Sequence, residues 1–111
     1  MIALSNTTTT TTTTSTVSAW LRDNHQRLRL RQVKLETAET HGKTLSAQYE
    51  TSEHLIQICA WDHAHCLDIL VFDQSSGALA YSEAGPCEST AGVLARLNSF
   101  SNWANAHATG G

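Results

Sequence analysis

The stretch that decides the fold is LIQICAWDHAHCLDILVFD, which spans residues 55–73. It contains two segments with alternating apolar residues, separated by a short polar turn, and the turn residues QSSG follow at 74–77. Such segments bounded by turn residues are typical of antiparallel strands. The stretch therefore predicts strands at 54–61 and 66–73. The first is apolar on much of both faces, which favours a central position in a sheet.

Further strands are predicted on both sides of this pair. Upstream, Leu45, Ala47 and Tyr49 alternate with polar residues, and a charged segment with the same period covers 31–38. Downstream, the serine and glycine turn returns the chain into a strand at 78–83. The sequence thus predicts an antiparallel β-meander of four to five strands.

Helical periodicity at each end completes the fold class. Val17, Trp20 and Leu21 predict a helix that begins at a Thr16 cap and ends near residue 27. A second apolar stripe predicts a helix over 89–106. The stripe consists of Val93, Leu94, Leu97, Phe100 and Trp103. The expected fold is α+β, with an N-terminal and a C-terminal helix packed on one face of the sheet.

The length of 111 residues fits a single domain. Eight consecutive threonines at 7–14 offer no apolar side chains to bury, so residues 1–15 are predicted to be a disordered threonine-rich tail. The single domain is then expected at 16–106, with a flexible end at 107–111.

Charge and composition limit the classes of function. The chain has no apolar run of membrane-spanning length and no signal-like start, and its 3 cysteines are a poor disulfide framework. A cytoplasmic protein without membrane contact is expected. Five basic residues lie between Arg22 and Lys34, whereas nine carboxylates oppose two basic residues from Leu35 onward. An acidic body of this kind argues against a nucleic-acid partner.

The turn Asp62-His63-Ala64-His65-Cys66 places four potential metal ligands within five residues. Structural zinc sites need four ligands with paired spacings, and no second paired motif completes the set. A Cys/His nucleophile pair would lack a separate orienting group. We therefore predict no metal, no cofactor and no catalytic residue, and we expect the two histidines to face solvent or a partner. An enzyme centred on this turn is the least favoured interpretation.

Two helices on one side of a meander leave the opposite face of the sheet in water. The more aliphatic set, Ile56, Ile58 and Ala60, is expected to face the helices. The open side is then expected to carry an aromatic and acidic patch suited to a protein interface. Its candidate members are Trp61, Tyr49, Tyr81, Asp62, Asp68 and Glu83.

The chain also resembles a known family. The carrying features are the helix residues SAWL (18–21) with Asn24, a charged strand, the run LIQICAW (55–61), the run CLDILVFD (66–73) and the turn Ser76-Gly77. Over residues 18–103 they look like the immunity proteins of bacterial polymorphic toxin systems, in particular the TriTu group. The chain departs from that group at 82–87.

The resemblance implies a non-enzymatic inhibitor that binds a cognate toxin and blocks its active site or its access to substrate. An acidic body would complement a basic, nuclease-type toxin domain. The predicted partner-binding residues are Trp61, Asp62, His63, His65, Asp68, Asp73, Tyr81 and Glu83. The alternative is an adaptor or chaperone that loads an effector onto a bacterial secretion system.

Overall fold

The computed structural model describes residues 12–38, 43–62, 66–87 and 89–108. Helix α1 is followed by five strands and then by helix α2. Their bounds are α1 Thr13–Asn24, β1 Arg31–Ala38, β2 Thr44–Glu50, β3 His54–Trp61, β4 Cys66–Asp73, β5 Leu79–Glu83 and α2 Thr90–Ala108. The strands form one antiparallel sheet in the order β1-β2-β3-β4-β5. The predicted α+β meander and the central position of β3 are confirmed.

The core lies between the sheet and the two helices. Ile56, Ile58 and Ala60 of β3 are buried there, as predicted, and they pair with buried residues of β2 and β4. The helices contribute the side chains that cover this face, namely Val17, Trp20, Leu21, Val93, Leu97, Phe100 and Ala104. Burying one large aliphatic side chain contributes roughly 1.5–3 kcal/mol, so this single layer of contacts is the main source of stability.

Tyr49 corrects one sequence-based expectation. It was a candidate for the exposed patch, but only 1% of it is exposed. The reason is strand alternation, because Tyr49 shares a face of β2 with Leu45 and Ala47, and that face points to the helices. Burial raises the pKa of its phenol. Tyr49 is therefore a core residue.

Helix α1 begins earlier than predicted, within the threonine tract. Thr12 is the N-cap, and its side chain and that of Ser15 exchange hydrogen bonds with each other's backbone N–H in a capping box. Thr13 and Thr14 are buried, so residues 12–15 belong to the domain rather than to a tail. Residues 1–11, the remainder of the predicted tail, lie outside the described residues.

The two helices also end differently from the prediction. Helix α1 stops at Asn24, and the chain then turns through Arg29, which adopts the left-handed conformation with φ 61°. Such a residue commonly ends a helix by redirecting the backbone. Helix α2 continues to Ala108, so 107–108 are helical rather than a flexible end, while 109–111 lie outside the described residues. In the described part of the chain, neither helix has the length and apolar character that a membrane span requires.

Candidate functional site

The candidate site is the side of the sheet that the helices leave uncovered, which we call the open face. Its centre consists of the alternate residues of β3 and β4 that point away from the core. In register these are the pairs Leu55 and Phe72, Gln57 and Leu70, Cys59 and Asp68, and Trp61 and Cys66. Apart from the exposed Gln57, these side chains are half-buried. Gln57, Cys59 and Trp61 thus lie on the water side of β3, opposite the aliphatic set that was predicted to face the helices.

One part of the open face is apolar. Phe72 lies opposite Leu55 on β3 and opposite Leu79 on β5, and Leu70 is its neighbour two residues along β4. We call these four residues the apolar patch. Leu79 is 53% exposed, which is the highest value among the large apolar side chains of the described residues. Exposed apolar side chains that are contiguous mark interaction surfaces more often than scattered ones do.

The part of the open face formed by β1 and β2 is polar and nearly balanced in charge. On β2 it carries Ser46 and Gln48, and an ion pair joins Arg31 of β1 to Glu50. On β1, Lys34 Nζ lies 3.5 Å from Glu36 Oε2. Among the described residues, the acidic side chains are therefore not concentrated on this face, which differs from the acidic and aromatic patch that the sequence predicted.

Trp61 and Asp68, two of the predicted partner-binding residues, do lie on the open face. Trp61 is at the end of β3 and is half-buried beside Cys66. Asp68 Oδ1 accepts a hydrogen bond of 3.0 Å from the backbone N–H of Gly85. One carboxylate oxygen of Asp68 is thus used to hold the segment that follows β5.

Asp62 has a structural role at the start of α1. Its Oδ1 accepts a hydrogen bond of 2.8 Å from the backbone N–H of Thr14, which is one of the N–H groups that a helix leaves unpaired. A carboxylate at this end also interacts favourably with the helix dipole. Asp62 therefore fastens the N-terminal helix to the end of β3.

Replacing Asp62 with alanine is expected to lower the free energy of unfolding by about 1 kcal/mol, the usual value of a lost helix cap. Asp62→Asn retains an acceptor oxygen and is expected to lose less, about 0.5 kcal/mol from the dipole alone. Urea denaturation of the three proteins measures both differences. Equal stability of wild type and Asp62→Ala would contradict the capping role.

Asp73 lies at the other end of the sheet from Trp61. Its Oδ1 accepts hydrogen bonds of 2.8 Å from both the backbone N–H and the hydroxyl of Ser75, which lower its pKa. It is the register partner of His54. These contacts shape the turn between β4 and β5, whereas Trp61 and Asp62 lie at the opposite end of β3.

Tyr81 and Glu83 lie on the helix side of the sheet and are not part of the open face. Tyr81 pairs with the buried Val71, and its ring packs against Phe100 and Trp103 with centroid distances of 6.1 and 5.3 Å. Its hydroxyl donates a hydrogen bond to Glu83 Oε2. Burial, followed by this carboxylate, raises the pKa of the Tyr81 phenol well above its ordinary value.

The reason for this placement is a register shift that the sequence pattern did not reveal. Simple alternation would put Leu79, Tyr81 and Glu83 on one face of β5. The register is irregular between Val71 and Phe72, so that Leu79 lies opposite Phe72 while Tyr81 lies opposite Val71. Leu79 thereby joins the apolar patch, and Tyr81 joins the core.

The turn between β3 and β4 is described only in part. His63 and His65, both predicted to face solvent or a partner, lie outside the described residues. Among the residues that are described, no group of three or more His, Cys, Asp or Glu side chains is arranged to hold a metal ion. Cys87 is buried, whereas Cys66 and Cys59 are half-buried.

The structure thus brings together only part of the predicted site. Trp61 and Asp68 share the open face, whereas Asp62 binds the start of α1 and Asp73 is the last residue of β4. Tyr81 and Glu83 face α2. The apolar patch was missed. Its signal was present in β4, where both alternating sets of residues are largely apolar and only one of them can face the core.

Comparison with known proteins adds no assignment: no protein-family model, no curated protein and no solved structure matches this chain.

Proposed function

We propose that this protein is a cytoplasmic immunity protein that binds a cognate bacterial toxin domain through the open face of its sheet and blocks the toxin's active site or access to substrate. The residues at 18–24, 55–61 and 66–77 that resemble the TriTu group support the class of partner. The open face supports the mode of binding.

The observation that carries the proposal is the apolar patch. Aromatic and aliphatic side chains surrounded by polar residues form the centre of many protein interfaces, and a few central residues supply most of the binding energy. Phe72 is the central residue of the patch, with Leu55 and Leu79 as its neighbours on the adjacent strands. We assign it the principal contact, with Trp61 and Asp68 as further contacts on the same face.

This assignment changes the weight given to the acidic residues. Asp62 and Asp68 accept internal hydrogen bonds from Thr14 and Gly85, so their loss affects the fold as well as any partner. A double alanine variant at these positions therefore does not isolate binding. Substitutions of exposed leucines test the interface more directly, since they leave the internal hydrogen bonds in place.

Co-expression with the product of the neighbouring gene tests the proposal. We expect that product to arrest growth when expressed alone, growth to be restored by this protein, and a stable one-to-one complex to co-purify. A complex with a non-toxic product would favour the adaptor or chaperone instead. Failure to form any complex would contradict both functions.

Leu79→Asp is expected to weaken binding of the toxin roughly tenfold to hundredfold, because it places an unpaired carboxylate in the apolar patch. The matched control is Leu94→Asp, which changes a leucine that is 38% exposed on α2, on the other side of the sheet. Isothermal titration calorimetry with the purified toxin domain measures both affinities. Equal losses for the two variants, or none for Leu79→Asp, would remove the open face from the interface.

A further inference from the structure

Strand β1 is an edge of the sheet that the helices do not cover. All eight of its residues are exposed. It carries two exposed large apolar side chains, Val33 at 47% and Leu35 at 44%. Among the described strands, β1 pairs with β2 alone, on one side. An edge strand of this length presents unpaired backbone N–H and C=O groups and is a template for pairing with another strand.

The charges of β1 select the partner and the register. Lys34 and Glu36 point to the open face, since they pair with Gln48 and Ser46 of β2, whereas Leu35 points to the helix side. If a second copy pairs antiparallel about a two-fold axis perpendicular to the sheet, residues that face each other must lie on the same side. The register of β1 is regular within 34–38. There, this requirement means that the two-fold axis passes through a residue position and not between two residues.

Only one of the central choices gives complementary charges. A register centred on Lys34 places two lysines opposite each other, and one centred on Glu36 places two glutamates opposite each other. A register centred on Leu35 places Lys34 of each copy opposite Glu36 of the other and brings the two Leu35 side chains together. Opposite charges across strands stabilise a pair, and like charges destabilise it.

We propose that this protein forms a homodimer in which the β1 strands of two copies pair antiparallel, centred on Leu35, into a continuous ten-stranded sheet. The Lys34 and Glu36 side chains, already 3.5 Å apart within one copy, then form a four-charge cluster across the interface. The two Leu35 side chains cover each other on the helix side. The apolar patch lies toward the opposite edge, β5, and remains free for the toxin.

A charge exchange tests the interface and its register together. Lys34→Glu and Glu36→Lys each place like charges opposite each other twice in the dimer, and each is expected to raise the dissociation constant of the dimer about tenfold or more. The double variant Lys34→Glu with Glu36→Lys restores opposite charges in the same register and is expected to restore wild-type association. Analytical ultracentrifugation of the purified chain alone measures all four proteins.

The double variant is the internal control, because it contains both substitutions and differs from the single variants only in complementarity. Both residues are exposed, so circular dichroism is expected to show unchanged folding throughout. Weakened association in the single variants with recovery in the double variant supports the proposal. A monomeric wild type, an unaffected dimer in the single variants, or a double variant as weak as either of them would overturn it.

Discussion

Replacing Phe100 with alanine is expected to lower the free energy of unfolding by about 3–5 kcal/mol, the typical cost of deleting a large side chain from a packed core. Phe100 is 0% exposed and joins the two helices to the sheet. Its ring lies 6.3 Å from that of Trp20 on α1 and 6.1 Å from that of Tyr81 on β5, both tilted. Aromatic pairs in such arrangements add stability beyond the area they bury.

A loss of this size is a large share of the free energy of unfolding of a small domain, which is about 5–15 kcal/mol in total. Urea denaturation followed by tryptophan fluorescence measures it, since Trp20 is a neighbour. The control on the same helix is Leu94→Ala, at a position that is 38% exposed, where the change is expected to stay below about 0.5 kcal/mol. Similar losses for the two variants would show that Phe100 is not the centre of the core.

Removing the side chain of Arg96 is expected to cost about 3–6 kcal/mol, because it donates two hydrogen bonds and each bond from a charged donor contributes about 1.5–3 kcal/mol. Its Nη1 donates to the backbone carbonyls of Leu67 at 2.7 Å and Gly85 at 2.8 Å. Its Nε lies 3.9 Å from Glu83 Oε1. Arg96 thus holds β4, the end of β5 and the segment after it to helix α2, with only 18% of its side chain exposed.

Arg96→Lys distinguishes the hydrogen bonds from the charge, and Arg22→Ala is a surface control. Arg96→Lys keeps the charge but lacks the planar guanidinium that reaches both carbonyls, so we expect about half of the loss seen for Arg96→Ala. Arg22→Ala removes an arginine that is 73% exposed and pairs with Asp23 at the surface, and it is expected to cost under about 1 kcal/mol. Thermal and urea unfolding of the three variants measures these losses. A loss for Arg96→Ala no larger than that for Arg22→Ala would contradict this role.

The proposed toxin interface and the packed core lie on different faces of the sheet, so we expect binding and folding to be separable in this protein. Phe100 and Arg96 act on the helix side, whereas Leu79 lies on the open face and Lys34 and Glu36 on an edge. We therefore expect Phe100→Ala and Arg96→Ala to change unfolding much more than binding per folded molecule. Leu79→Asp is expected to do the reverse.

The sequence by itself determined the elements and the faces of the central strands. Local alternation in β3 distinguishes Ile56 and Ile58 from Gln57 and Cys59, and the side with more aliphatic surface is buried because burial removes it from water. Helical periodicity located both helices, and apolar residues on both faces of β3 indicated its central place in the sheet. Each of these properties depends on residues that are close together in the chain.

Only the tertiary structure decided which polar groups are used internally. The hydrogen bond from Thr14 to Asp62 spans 48 residues, and the bond from Gly85 to Asp68 spans 17. Neither hydrogen bond is indicated by a local sequence pattern, although the first holds the end of the threonine tract in helix α1. The register shift opposite Phe72 likewise sent Tyr81 to the core and Leu79 to the open face. Such features depend on contacts between distant segments, because a buried donor needs an acceptor wherever the fold supplies one.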